Sequence, residues 1–130
     1  MKEENNYQIH FLSNPKDIIQ SHEISAAGLL AKYFRSDVYF LSREVLKTPD
    51  LRIKDQYWEL KSPISNGKKT IENCLRAAAE QSQNVVLDLR RFPADYRIAI
   101  NKTRYFLKCT PNKIKRIIFI TKSNEILDKF

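Results

Sequence analysis

The chain predicts an α/β fold, a mixed β-sheet covered by helices. Three observations carry that prediction. NVVLDL (84–89) and KRIIFIT (115–121) are unbroken apolar runs, suited to strands buried on both faces. Three other segments repeat their apolar residues at helical spacing. The segments follow one another as α-β-β-β-α-β-α-β-β, an alternation that packs helices against a sheet.

Each element has its own signal. SHEISAAGLLAKYF reads as a helix from Ser21, with a stripe of His22, Glu23, Ala26, Ala27, Leu29, Leu30, Tyr33 and Phe34. DVYFL (37–41) reads as a short strand. LRI (51–53) and QYWELK (56–61) read as two more, joined at Lys54-Asp55. Pro63 and Asn66-Gly67 mark residues 62–69 as a loop. TIENCLRAAAEQS (70–82) is a helix with Thr70 as N-cap and Ile71, Leu75 and Ala78 on its inner face. ADYRIAINKTRYFLK (94–108) is an amphipathic helix, and EILDKF (125–130) could pair beside the last apolar run. With no repeat and no linker, the 130 residues read as one domain.

Composition narrows the function. Apolar residues at 42% and aromatics at 11% suffice to fill a core. No run is long enough to span a membrane, and the start is no signal peptide, so a soluble protein or a soluble part of a larger one is expected. Lys and Arg number 23 against 15 acids, a net charge of +8. That balance fits a polyanionic partner, nucleic acid above all, although basic domains that bind nothing charged also exist. Only Gly28 and Gly67 are present, which excludes a Gly-rich dinucleotide site. GKKT (67–70) lacks the upstream glycine of a P-loop, so no nucleotide cofactor is expected. Cys74 and Cys109 stand apart from each other and from His10 and His22, which argues against structural zinc. Buried free thiols are expected, and a single disulfide stays open.

The hairpin TPDLRIKDQYWELKS (48–62) carries the chemistry. If Lys54-Asp55 is its turn, Leu51 faces Trp58 and Asp50 faces Glu59. Opposed side chains lie about 4.5–5.5 Å apart at Cβ. Lys61 follows about 7 Å further along the same face. Two facing carboxylates repel unless a cation separates them, and dense oxygen ligands suit Mg²⁺ or Mn²⁺. The ammonium could then hold an attacking water or offset charge on a phosphate. The plainer alternative is a solvated hairpin with a Lys61–Glu59 ion pair of little worth.

These residues resemble a known signature. Pro49-Asp50 followed by Glu59-Leu60-Lys61 is similar to the PD-(D/E)xK motif of the restriction-endonuclease-like nucleases. The likeness implies an α-β-β-β-α-β core with the motif on its second and third strands, here followed by an α-β-β extension. It also implies that Glu23, on the first helix, completes or tunes the metal site. A first-turn acid that merely suits the helix dipole is the alternative. His22, beside it, is a candidate substrate contact or a satisfied structural histidine. Gln81, on the second helix, could reach toward the metal, as in several such nucleases, or be an exposed amide.

A narrower likeness covers most of the chain. HEISAAGLLAKYF, KTPDLRIKDQYWELKSP and RAAAEQSQNVVLDL together resemble the C-terminal tRNase toxin domains of contact-dependent growth inhibition proteins. EENN (3–6) is similar to the VENN peptide that precedes such domains. This likeness implies a metal-dependent ribonuclease acting on tRNA in the cytoplasm of a target cell, with a cognate immunity protein as partner. A DNA endonuclease of the same superfamily, or a non-catalytic basic binding module, remain as alternatives. Candidate substrate contacts are Lys68 and Lys69 before the second helix, and Arg97, Arg104 and Lys108, which share a polar stripe with Asn101. Arg90, Arg91, Lys113, Lys115 and Arg116 lie near that helix's ends and could widen the basic surface.

Overall fold

The computed structural model describes residues 6–12, 17–42 and 48–128. Residues 3–5 of EENN, and Lys129 and Phe130 of the last expected strand, lie outside them. The elements are β1 (Ile9–Phe11), α1 (Ser21–Phe34), β2 (Val38–Phe40), β3 (Leu51–Ile53), β4 (Gln56–Lys61), α2 (Thr70–Gln81), β5 (Asn84–Asp88), α3 (Tyr96–Cys109), β6 (Arg116–Ile120) and β7 (Ile126–Asp128). The strands form one mixed seven-stranded sheet in sequential order. β1–β2, β4–β5 and β5–β6 pair in parallel, and the other three pairs are antiparallel.

β1 is an addition to the expected order. Its three residues are too few to show a period, and its pairing with β2 is made across the whole of α1. The hairpin has the anticipated register, with Leu51 opposite Trp58 and Arg52 opposite Tyr57. Lys54 takes a left-handed φ of 55° in its two-residue turn.

Two cores share the sheet. On one face α1 packs Ala26, Ala27, Leu30 and Ala31 over Val38, Phe40, Leu51, Ile53, Trp58, Leu60, Val86 and Ile118. On the other, α2 and α3 pack Ile71, Leu75, Ala78, Ala99, Ile100 and Phe106 over Val85, Leu87, Ile117 and Phe119. Each such aliphatic or aromatic side chain, fully buried, contributes about 1.5–3 kcal/mol. The expected helix stripes need small corrections. Ala31, outside the stripe read for the first helix, is buried, while Tyr33, within it, is 43% exposed at its margin. Thr70 is the first helical residue rather than the N-cap, a position held by Lys69; the Thr70 hydroxyl pairs with that of Ser65 instead. Both cysteines are free thiols, but neither is fully buried: Cys74 is half-buried and Cys109, the last residue of α3, is exposed. Among the described residues no helix is long and apolar enough to cross a membrane.

Candidate active site

The carboxyl ends of the parallel strands β4 and β5 form one edge of the sheet, and the open end of the β3–β4 hairpin lies there too. Strand alternation decides what β4 presents. Trp58 and Leu60 enter the α1 core, so Glu59 must face α2, across from Val85. It is only 5% exposed.

Asp50 and Glu59 are laced together through the backbone. The amide of Asp50 donates to Glu59 Oε1 (3.2 Å), and the amide of Leu60 donates to Asp50 Oδ2 (2.9 Å). Lys61 Nζ lies 3.5 Å from Glu59 Oε2 and is partly exposed. The Glu59 carboxyl is pushed up to about 8, first by burial and then by the negative charge of Asp50; Lys61 pulls the other way without overcoming them. A buried acid on which a second acid acts more strongly than a neighbouring lysine holds a proton at neutral pH or needs a cation in its place. The donor set suits a hard divalent ion, since Mg²⁺ commonly binds through one or two carboxylates and fills its other positions with water and phosphate. Cys74 of α2 is within electrostatic reach of Lys61, and burial raises its thiol against that pull. Its helical phase with Ile71, Leu75 and Ala78 would have placed it on this face.

The expected third acid is elsewhere. Among the described residues no three acid, histidine or cysteine side chains converge on a common point, so Glu23 is not part of a cluster with Asp50 and Glu59. Its carboxylate accepts from the backbone amide of Gln20, at the start of its own helix. An acid three residues after the N-cap finds an orphan backbone amide at close range. His22 does reach the same edge of the sheet. Arg91 donates from Nη2 to His22 Nε2 (3.1 Å) and from Nε to Ser62 Oγ (3.1 Å), directly after Lys61.

The remaining candidates divide. Lys68 and Lys69 line a cleft of about 670 Å³ between α2 and α3 together with Arg76 and Lys102, and none of Asp50, Glu59 or Lys61 lines it. Arg97, Arg104 and Lys108 are exposed on α3 as their spacing required. Arg97 is held by Asp95 (2.8 Å), and Arg104 donates to Asn101 Oδ1 (3.1 Å). Arg90 and Arg116 are not free basic surface. Arg90 forks onto Asp88, and Arg116 pairs with Asp128 while stacking over Phe34 and Trp58. Gln81 is half-buried rather than exposed, because α2 ends against the β4 backbone, and its Oε1 is shielded from solvent with no hydrogen-bond partner.

No curated protein matches the chain. Among solved structures, a CdiA-CT/CdiI toxin and immunity complex from Burkholderia pseudomallei has a chain that superposes with a TM-score of 0.63 at 18% identity, over 94% of this chain and 98% of that one. At that identity the likeness is one of fold. Residues 47–126, more than half of the chain, match the contact-dependent growth inhibition CdiA C-terminal domain, and the protein belongs to that family.

Proposed function

We propose that this domain is a toxin that acts as a metal-dependent nuclease, cleaving RNA and within it tRNA, on a restriction-endonuclease-like core. The observation that carries the reading is the Asp50–Glu59 pair, a half-buried acid laced to a buried one, with Glu59 pushed up to about 8 and Lys61 alongside. Two acids side by side are unfavourable when both are charged, so the pair calls for a proton or a cation between them.

Asp50 and Glu59 would hold Mg²⁺ or Mn²⁺, and a bound ion of this kind polarises a phosphoryl oxygen and makes hydroxide available at neutral pH. Lys61, partly exposed beside them, would position the attacking water or offset charge developing on phosphorus. The net charge of +8 would draw a polyanion to the domain, and the lysines of the α2–α3 cleft would add phosphate contacts. The choice of RNA and of tRNA rests on the likeness of the sequence to tRNase toxin domains. An immunity protein is the expected partner, because the structure of similar fold is a toxin and immunity complex. Action in the cytoplasm of a target cell follows from the same reading.

The test is cleavage of total tRNA and of plasmid DNA by the purified chain, with Mg²⁺ or with EDTA. Cleavage of tRNA with Mg²⁺, absent in EDTA and abolished by Glu59→Ala in a folded protein, is the expected result. Plasmid cleavage alone would move the substrate to DNA. Toxicity unchanged by Glu59→Ala would leave a non-catalytic binding module.

A further inference from the structure

The positive charge of the chain is not evenly neutralised. Arg90, Arg97 and Arg116 each pair with a carboxylate of their own, Asp88, Asp95 and Asp128. Lys68, Lys69 and Lys102 form no ion pair among the described residues, and all three line the cleft between α2 and α3. Arg76, also on the cleft, is exposed and only loosely engaged by Glu72 (3.7 Å). The cleft has an aromatic surface as well. Tyr105 is 68% exposed, and its hydroxyl shares a hydrogen bond with the Cys109 thiol one turn further along α3. Phe106, beside it, is buried, with the Arg76 guanidinium 5.9 Å from its ring.

The cleft is separate from the acid pair. Cys74 of α2 is within electrostatic reach of Lys61, while Glu72 and Arg76 of the same helix line the cleft, so α2 stands between the two. A helix is about 10–12 Å across, too wide for one phosphate to touch both sides. A strand of several nucleotides can, and the loop of residues 62–67 leads directly from Lys61 to Lys68 and Lys69.

We infer that the α2–α3 cleft is an exosite that grips single-stranded RNA away from the bond that is cut. The inference rests on the nuclease reading for its substrate and on the cleft for its chemistry. The volume of about 670 Å³ lies within the range of small-ligand sites, room for one nucleotide. Lys68, Lys69 and Lys102 take phosphates, and Tyr105 stacks one base. A lysine is a point charge and every base has a face that stacks, so the site selects unpaired RNA rather than a sequence. In a duplex the bases stay stacked on one another, out of reach of the ring. An acidic protein would meet the lysines alone; RNA offers charge to the lysines and a flat face to Tyr105. An RNA long enough to reach both sites gains affinity from the second, and a short one does not.

The experiment has two arms. In the first, a fluorescent oligouridine of about eight nucleotides binds the wild-type chain in EDTA, read by anisotropy. Between about 50 and 200 mM salt, Lys69→Ala with Lys102→Ala should reduce the slope of log affinity against log salt by about 1.4, two contacts at about 0.7 each. Lys32→Ala with Lys122→Ala, which removes two exposed charges outside the cleft, should reduce it far less. No reduction in the first pair, or an equal one in both, overturns the inference. Tyr105→Leu should weaken binding about tenfold and Tyr105→Phe leave it nearly unchanged. Equal loss in both, or none in either, overturns the stacking contact. Poly-glutamate of the same charge should compete about tenfold less well than oligouridine, and equal competition would give the cleft to an acidic protein instead.

In the second arm, tRNA and an oligonucleotide too short to span α2 are cleaved with Mg²⁺. The cleft double variant should raise KM for tRNA about tenfold with kcat unchanged, and leave kcat/KM for the short substrate within about twofold. An equal loss on both substrates overturns the exosite. The first arm needs no cleavage, so a chain that binds at the cleft and cuts nothing sinks the nuclease reading alone.

Discussion

Two buried carboxylates near the carboxyl ends of neighbouring strands meet opposite fates. Asp88, at the end of β5, is fully buried, and Glu59, near the end of β4, is 5% exposed. Asp88 is forked by Arg90 from Nε (2.9 Å) and Nη2 (2.8 Å) and accepts from the Arg90 amide as well. The same guanidinium donates onward to Ser25 Oγ and the carbonyl of His22, so it fastens the start of α1 to the sheet. Glu59 has another acid as its close neighbour and a lysine at 3.5 Å. Burial is common to both; the partner differs. An acid that meets a bidentate arginine is held charged within the fold, whereas a buried acid beside a second acid has its carboxyl pushed up even with a lysine close by.

The widest separation between the two should be in catalysis. Asp50→Ala or Lys61→Ala should lower nuclease turnover by roughly a thousandfold with circular dichroism unchanged, whereas Asp88→Asn should leave any turnover per folded molecule within severalfold. Equal losses at Asp88 and Asp50 would dissolve the contrast.

Stability should reverse the order. Asp88→Ala leaves Arg90 without its partner and should cost about 3 kcal/mol in chemical denaturation, since stripping one member from a buried ion pair is strongly destabilising. Glu59→Gln should cost little at neutral pH, because the wild-type carboxyl already carries a proton in the absence of a cation.

A pH titration sharpens the point. Glu59 titrates near 4.5 when unfolded and about 8 when folded, so the folded state holds an extra proton between those values. In EDTA, the contribution of this group therefore makes stability fall as pH rises from about 4.5 to 8 and level off above. The Tm of Glu59→Gln should fall less over that window, and Mg²⁺ should restore the wild-type Tm most strongly at the alkaline end, where the ion no longer competes with a proton. A wild-type slope identical to that of Glu59→Gln would mean that Glu59 is ionised throughout.

The smallest effect concerns the acid that the family likeness assigned to the metal. Glu23→Gln should cost under about 1 kcal/mol, the value of one helix-start contact, and change turnover only a few fold. A thousandfold loss of turnover with stability intact would return Glu23 to the site.

The sequence by itself determined the order of the elements from α1 to β7, the hairpin register, and with it the opposition of Asp50 and Glu59. A two-residue turn and strict strand alternation leave few registers that bury Trp58 and Leu60 together, so local pattern was enough. It also showed which face of α3 is basic, because that face follows from helical period alone.

Only the tertiary structure decided the rest, and each case involves partners distant in the chain. β1 exists because β2 offers it an edge across α1. Arg90 left the basic surface because Asp88, His22 and Ser25 converge on it. The depth at which Glu59 is buried comes from α2 closing over β4, and that depth, more than the facing charge, raises its carboxyl to about 8. Periodicity reports which way a side chain points; how much water it loses depends on what the rest of the chain brings over it.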